Sequence, residues 1–116
     1  YDLGIICSPT NLHIDQGVAL ASHRVNIFME KPLSHDSEGL DRFREVVANN
    51  GVAVLMGYVF RFSPLTRKVA ELLTSNTIGK VYYLRGEFSE YLPDWHPYED
   101  YRSFYMAKKE QGGGAG

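Results

Sequence analysis

Ile27-Phe28-Met29-Glu30-Lys31-Pro32-Leu33 is an apolar run that ends abruptly in a Glu-Lys-Pro triplet. Helix-type patterns precede and follow it, so the run reads as a buried strand that closes at a strand-to-helix turn. Open α/β sheets bind ligands just outside the carboxyl ends of their strands, which is where this reading puts Lys31. Proline disfavours helix for the residue before it, so Lys31 leaves the strand in an extended conformation. Glu30 alternates to the opposite face, so the two side chains do not simply pair.

Outward from this stretch, strand-like and helix-like segments alternate. Residues 3–7 form a short continuous apolar strand, followed by Ser8-Pro9-Thr10-Asn11, where Thr10 or Asn11 is expected to cap a helix over about 12–23. That helix is expected to bury Leu12, Val18 and Ala21, with Gly17 allowing close approach to the sheet. Val25 to Met29 is the second strand, apolar throughout as if covered on both faces. Ser34 is expected to cap a second helix with Leu40, Phe43, Val46 and Val47 inward and Asn49-Asn50-Gly51 at its end. Val52 to Met56 is the third strand, and Ser63-Pro64 opens a third helix with a Leu65, Val69, Leu72, Leu73 stripe. Lys80 to Glu90 then alternates with period two, predicting a longer half-buried strand in a different sheet.

The order β-α-β-α-β-α plus a final strand predicts the α/β class: part of a doubly wound, Rossmann-like parallel sheet, then the first strand of an α+β unit. Residues 1–78 are expected to be the later half of a dinucleotide-binding domain, and residues 79–116 the start of a substrate and oligomerisation domain. The chain starts at Tyr1-Asp2 without methionine and finishes in Gly112-Gly113-Gly114-Ala115-Gly116, which reads as an internal piece of a longer protein. The other reading of that end is a flexible tail on a complete domain.

Composition narrows the classes. The 116 residues are 44% apolar with a formal charge of −2, ordinary for a small core and without a basic field for nucleic acid. No apolar run is long enough to span a bilayer. The single Cys7 excludes an internal disulfide and suits a reducing compartment, so the expected location is the cytoplasm.

Read on its residues, Lys31 is either an exposed strand end or an acid/base lysine, since a partly dry cleft makes lysine usable as either acid or base. Ser8 to Asn11 offers hydroxyls, an amide and free N–H groups suited to a diphosphate, ribose or carboxylate, or simply caps a helix. His13, one turn into the helix, is by default packed or solvated. Arg61 either holds an anionic or planar ligand or lies on the surface among aromatics. Between Tyr91 and Arg102, Trp95 or Tyr98 has the chemistry to stack on a sugar ring while Asp94, His96 or Arg102 bonds its polar groups; packing of an irregular loop is the alternative. The four histidines have no metal-ligand spacing and Cys7 is expected in a buried strand, so neither a metal nor a cysteine nucleophile is expected.

Three strand ends, Ser8-Pro9-Thr10-Asn11-x-His13, Glu30-Lys31-Pro32-Leu33 and Gly57-Tyr58-x-x-Arg61-Phe62-x-Pro64, followed by Ile78-Gly79-Lys80-Val81, resemble the Gfo/Idh/MocA oxidoreductases over essentially the whole chain. The resemblance implies an NAD or NADP cofactor and reversible hydride transfer with a sugar-like secondary alcohol or ketone. It gives Lys31 the role of acid/base beside the nicotinamide ribose, lines the cofactor with Ser8, Pro9, Thr10, Asn11, His13 and Arg61, and has Glu30 shape the turn. Val59 and Phe60 stand where many relatives carry polar or basic residues. The Gly-rich phosphate turn of such domains has no counterpart in this chain. In relatives, a triple glycine like Gly112-Gly113-Gly114 leads into a helix with the second catalytic motif, which this chain does not contain. A truncated sheet leaves an exposed edge that favours pairing with another copy, so a homo-oligomer is expected, with neither a nucleic-acid nor a membrane partner. The competing reading is a non-catalytic α/β binding or oligomerising module, the piece itself being inactive.

Overall fold

The computed structural model describes residues 1–114; Ala115 and Gly116, the last of the glycine-rich end, lie outside the described residues. Three parallel strands, β1 (Leu3–Ile6), β2 (Asn26–Met29) and β3 (Val54–Met56), stand side by side in chain order. The crossovers are α1 (His13–Ser22) and α2 (Leu40–Asn50), and α3 (Pro64–Thr74) follows the last strand. This is the partial Rossmann-like sheet that the alternation predicts.

Both crossover helices cover one face of the sheet. Ile27 and Met29 of β2 point into that layer and are essentially fully buried, each stabilising the fold by roughly 1.5–3 kcal/mol. Ile6, Ile14, Val18, Ala21, Phe43 and Val52 complete the cluster. At Gly17 the layer is tight: a β-carbon there would stand 2.7 Å from Phe43 Cε2 and 3.0 Å from Met29 Cε. Glycine thus lets α1 close on both α2 and the sheet. Gly51 ends α2 in a left-handed turn (φ 65°), and Pro64 opens α3 as expected.

The other face of the sheet is bare. Leu3, Ile5 and Leu55 are each more than half exposed, which corrects the expectation of cover on both sides. The apolar stripe of α3 (Leu65, Val69 and Leu73) is exposed as well, because α3 packs mainly on the short turn before it.

Several local expectations change. Residues 10–12 form a 3-10 turn and α1 starts only at His13, so Leu12 faces solvent and His13 and Ile14 take the inward positions. Neither Thr10 nor Asn11 makes a side-chain cap bond. Ser34 does not cap α2, which begins six residues later behind Gly39; its Oγ instead accepts from the Asp36 N–H at 3.3 Å. Cys7 is exposed rather than buried, since β1 ends at Ile6. Residues 80–90 carry no ladder and are exposed throughout. A period-two pattern becomes a strand only when a neighbour satisfies its N–H and C=O groups, and none of the described strands lies beside it.

The remainder contains a short helix, α4 (Leu92–Trp95), and 3-10 turns at Tyr101–Ser103, Tyr105–Ala107 and Lys109–Gln111. The last of these returns to pack on the turn after β1.

Candidate active site at the carboxyl edge of the sheet

Parallel strands bring their carboxyl ends to one edge, so three sequence-distant turns meet there. The last ladder bonds are those from Glu30 N–H to Ile6 O (2.9 Å) and from Gly57 N–H to Met29 O (2.7 Å). Beyond them the chains separate into the turns 7–12, 30–39 and 57–62.

Lys31 leaves the middle strand, is exposed, and precedes a cis peptide bond to Pro32. Its backbone N–H donates to Glu30 Oε2 at 3.2 Å. The Glu30 carboxylate is half-buried and lies over Gly57, where a β-carbon would stand 3.1 Å from Oε1. Glu30 therefore braces the turns after β2 and β3 while Lys31 is left free to point outward. The partly dry cleft anticipated for Lys31 is not built by the described residues.

In the turn after β1, Ser8 Oγ donates to Gln16 Oε1 at 2.8 Å, holding the turn to α1. Thr10 is buried, and Asn11 Oδ1 is buried without a hydrogen-bond partner. Gly112 packs over this turn in a left-handed conformation (φ 81°), where a β-carbon would stand 2.8 Å from Thr10 Cβ and 2.9 Å from His35 Cβ. Pro9 is half-buried beside them.

His13 is packed, one of the two outcomes its residue type suggests. It is 1% exposed, with Nδ1 2.8 Å from Pro32 O and Nε2 2.9 Å from Ser8 O. It lies behind the turns, with both ring nitrogens facing backbone carbonyls. Its position one residue after a 3-10 turn is the signal for this: that turn rotates the first helical residue inward.

Arg61 is exposed on the Val59–Phe62 turn, with Val59 and Phe60 exposed beside it. Trp95, His96 and Tyr98 gather into a cluster of their own. His96 stacks on Tyr98 (centroids 5.2 Å apart), meets Phe104 edge-on at 4.6 Å, and has Nδ1 3.1 Å from Glu99 Oε1. The structure brings these three together, with His96 at the centre of the packing. Among the described residues, no group of three His, Cys, Asp or Glu could hold a metal ion, and no helix is long and apolar enough to cross a membrane.

A parallel α/β sheet with a lysine, a polar turn and an orphaned amide oxygen at its carboxyl edge has the layout of a domain that binds a ligand just outside its strand ends. The chain belongs to the Gfo/Idh/MocA oxidoreductase family, the oxidoreductase family with an NAD-binding Rossmann fold, which matches residues 1–58. It is 34% identical over 84 residues to the myo-inositol 2-dehydrogenase of Thermotoga maritima, covering 72% of this chain and 25% of that protein. It is 33% identical to an NADP-dependent D-xylose 1-dehydrogenase of Haloferax volcanii, over 74% of this chain and 26% of that one. The scyllo-inositol dehydrogenase of Lactobacillus casei, solved with NAD(H) and scyllo-inositol, superposes with a TM-score of 0.63 at 26% identity, over 68% of this chain and 24% of its own. The chain thus spans about a quarter of the length of the relatives it matches.

The residues present suit the NAD or NADP of this family. Asn11 Oδ1 is an acceptor awaiting a donor, and the Ser8–Asn11 turn and Lys31 border the same edge.

Proposed function

We propose that these residues are part of an NAD(P)-dependent dehydrogenase that interconverts a sugar-like secondary alcohol and its ketone. The observation that carries this reading is Lys31, exposed at the end of the middle strand and flanked by the Ser8–Asn11 turn. The bound nicotinamide would supply the two-electron acceptor or donor. Lys31 takes the proton from the substrate hydroxyl oxygen in oxidation and returns it in reduction. Ser8, Pro9, Thr10 and Asn11 border the cofactor, Arg61 borders it from the third turn, and Glu30 fixes the turn that aims Lys31. The inositol and xylose dehydrogenases among the relatives support a polyol or sugar substrate, for which Trp95 and Tyr98 offer faces and His96 a polar edge.

Residues 1–78 act as the later half of the dinucleotide domain and 79–116 as the start of the substrate domain, in a cytoplasmic homo-oligomer with neither nucleic-acid nor membrane partners. The bare face formed by Leu3, Ile5 and Leu55 favours a second reading for the isolated 116 residues: an inactive piece that associates through apolar surface.

The test is Lys31→Ala in the full-length enzyme, assayed as NADH formation from NAD and myo-inositol. Turnover should fall by about 10²–10⁴-fold, the usual worth of a positioned acid/base. NADH affinity should change by less than about tenfold, or roughly 1.4 kcal/mol. Near-normal turnover in an otherwise active enzyme would refute the assignment.

A further inference from the structure

We propose that His13 is a positioning residue: its buried ring clips the turn after β1 to the turn after β2 and so fixes where Lys31 stands relative to the cofactor segment. The inference rests on the dehydrogenase reading and names a residue that acts through others.

The backbone cannot supply this link. The ladder between β1 and β2 ends with the bond from Glu30 N–H to Ile6 O. Past that point, among the described residues, the hydrogen bonds joining the 8–12 turn to the 31–39 turn are those of the His13 ring alone. Nε2 faces the carbonyl of Ser8, whose hydroxyl is already tied to Gln16 of α1. Nδ1 faces the carbonyl of Pro32, the residue directly after Lys31. A shift of the Pro32 carbonyl therefore moves the backbone from which the Lys31 side chain departs. The ring is rigid and fully enclosed, and its two nitrogens point in opposed directions, so it acts as a spacer of fixed length. A neutral ring donates to one of the two carbonyls and a protonated ring to both. The protonated ring thus hydrogen-bonds to both turns, while the neutral ring bonds to one and only packs against the other; removing the ring takes the donor from these part-buried carbonyls.

A residue that merely fills space would lower stability when truncated and leave the folded site unchanged. A spacer would alter the site itself. The discriminating readout is acylation of Lys31 by acetic anhydride in the full-length protein, followed by mass spectrometry with and without saturating NADH. In the wild type, bound NADH should slow acylation at least about fivefold, equivalent to roughly 1 kcal/mol. In His13→Ala, NADH should bind about five- to hundredfold more weakly, the range for stranding a buried carbonyl. At saturation its protection of Lys31 should be lost. His13→Gln, which keeps one N–H donor group, should fall between the two.

Undiminished protection in both variants at saturating NADH overturns the clip. If His13→Ala does not fold, His13→Gln against wild type decides in the same way. The wild type supplies an independent check by proton NMR: a ring N–H of His13 should exchange slowly with solvent, and rapid exchange at both ring positions overturns the clip. A wild-type protein that fails to bind NADH, or whose Lys31 NADH does not protect, overturns the proposed function instead, and the ring proton then decides the clip alone.

Discussion

Gly17→Ala adds one methyl group at a tight contact between α1, α2 and the sheet, and opposing effects set its outcome. Alanine within a helix is favoured over glycine by about 1 kcal/mol. The new β-carbon, however, would stand 2.7 Å from Phe43 Cε2 and 3.0 Å from Met29 Cε. Phe43 and Met29 are both buried, so neither can swing into solvent to make room. Overpacking of this kind costs about 1–3 kcal/mol, which leaves a net loss near 1 kcal/mol. Amide exchange of α1 in the full-length protein reads this locally, without assuming that several domains unfold together. Exchange should quicken about fivefold, the equivalent of 1 kcal/mol. In a Phe43→Leu background the ring edge is gone and only the Met29 methyl, the end of a flexible side chain, still opposes the helix preference. Gly17→Ala should then slow exchange relative to Phe43→Leu, for a coupling of roughly 1–2 kcal/mol between the sites. Stabilisation by Gly17→Ala in the wild-type background would refute the contact.

Three further outcomes follow from the geometry. Asn11→Ala removes an acceptor that has no partner within the chain, so folding stability should change by less than about 0.5 kcal/mol, while NADH affinity by fluorescence titration falls about five- to tenfold. Gly112→Ala forces the 109–113 turn away from Thr10 and His35, both by crowding and by its left-handed φ; hydrogen exchange at Thr10 should rise while that of β2 stays unchanged. Ile5→Lys in the full-length enzyme tests whether the bare sheet face is covered there: burial of an unpaired ammonium would cost more than about 3 kcal/mol, read as a lowered urea midpoint, whereas an unchanged midpoint would mean that this face stays in water.

The secondary structure was legible wherever a segment's own pattern decided it. Val25–Met29 and Val52–Met56 are apolar runs bounded by turn chemistry, and both contain the strands observed. Asn49-Asn50-Gly51 and Ser63-Pro64 carry their own stop and start signals, and both act as read. What the pattern does not encode is partnership. Residues 80–90 alternate as a strand should, yet a ladder is a property of two segments. Leu12 has an apolar side chain, but the 3-10 turn over residues 10–12 rotates it outward and turns His13 in. The site divides in the same way. Lys31 was visible because proline and the strand fix its direction, while the bridge made by His13 depends on two carbonyls that no side-chain pattern reports.

The uncovered sheet face also bears on how such a chain comes off the ribosome. Its three strands pair in the order in which they are made, each with the strand just before it. Such sequential contacts have short sequence separations and form early. The layer holding Met29 and Phe43 can therefore assemble while Leu3, Ile5 and Leu55 still face water. For that interval the nascent protein carries a sticky surface beside a finished core, which makes it a substrate for chaperones and a hazard at high concentration.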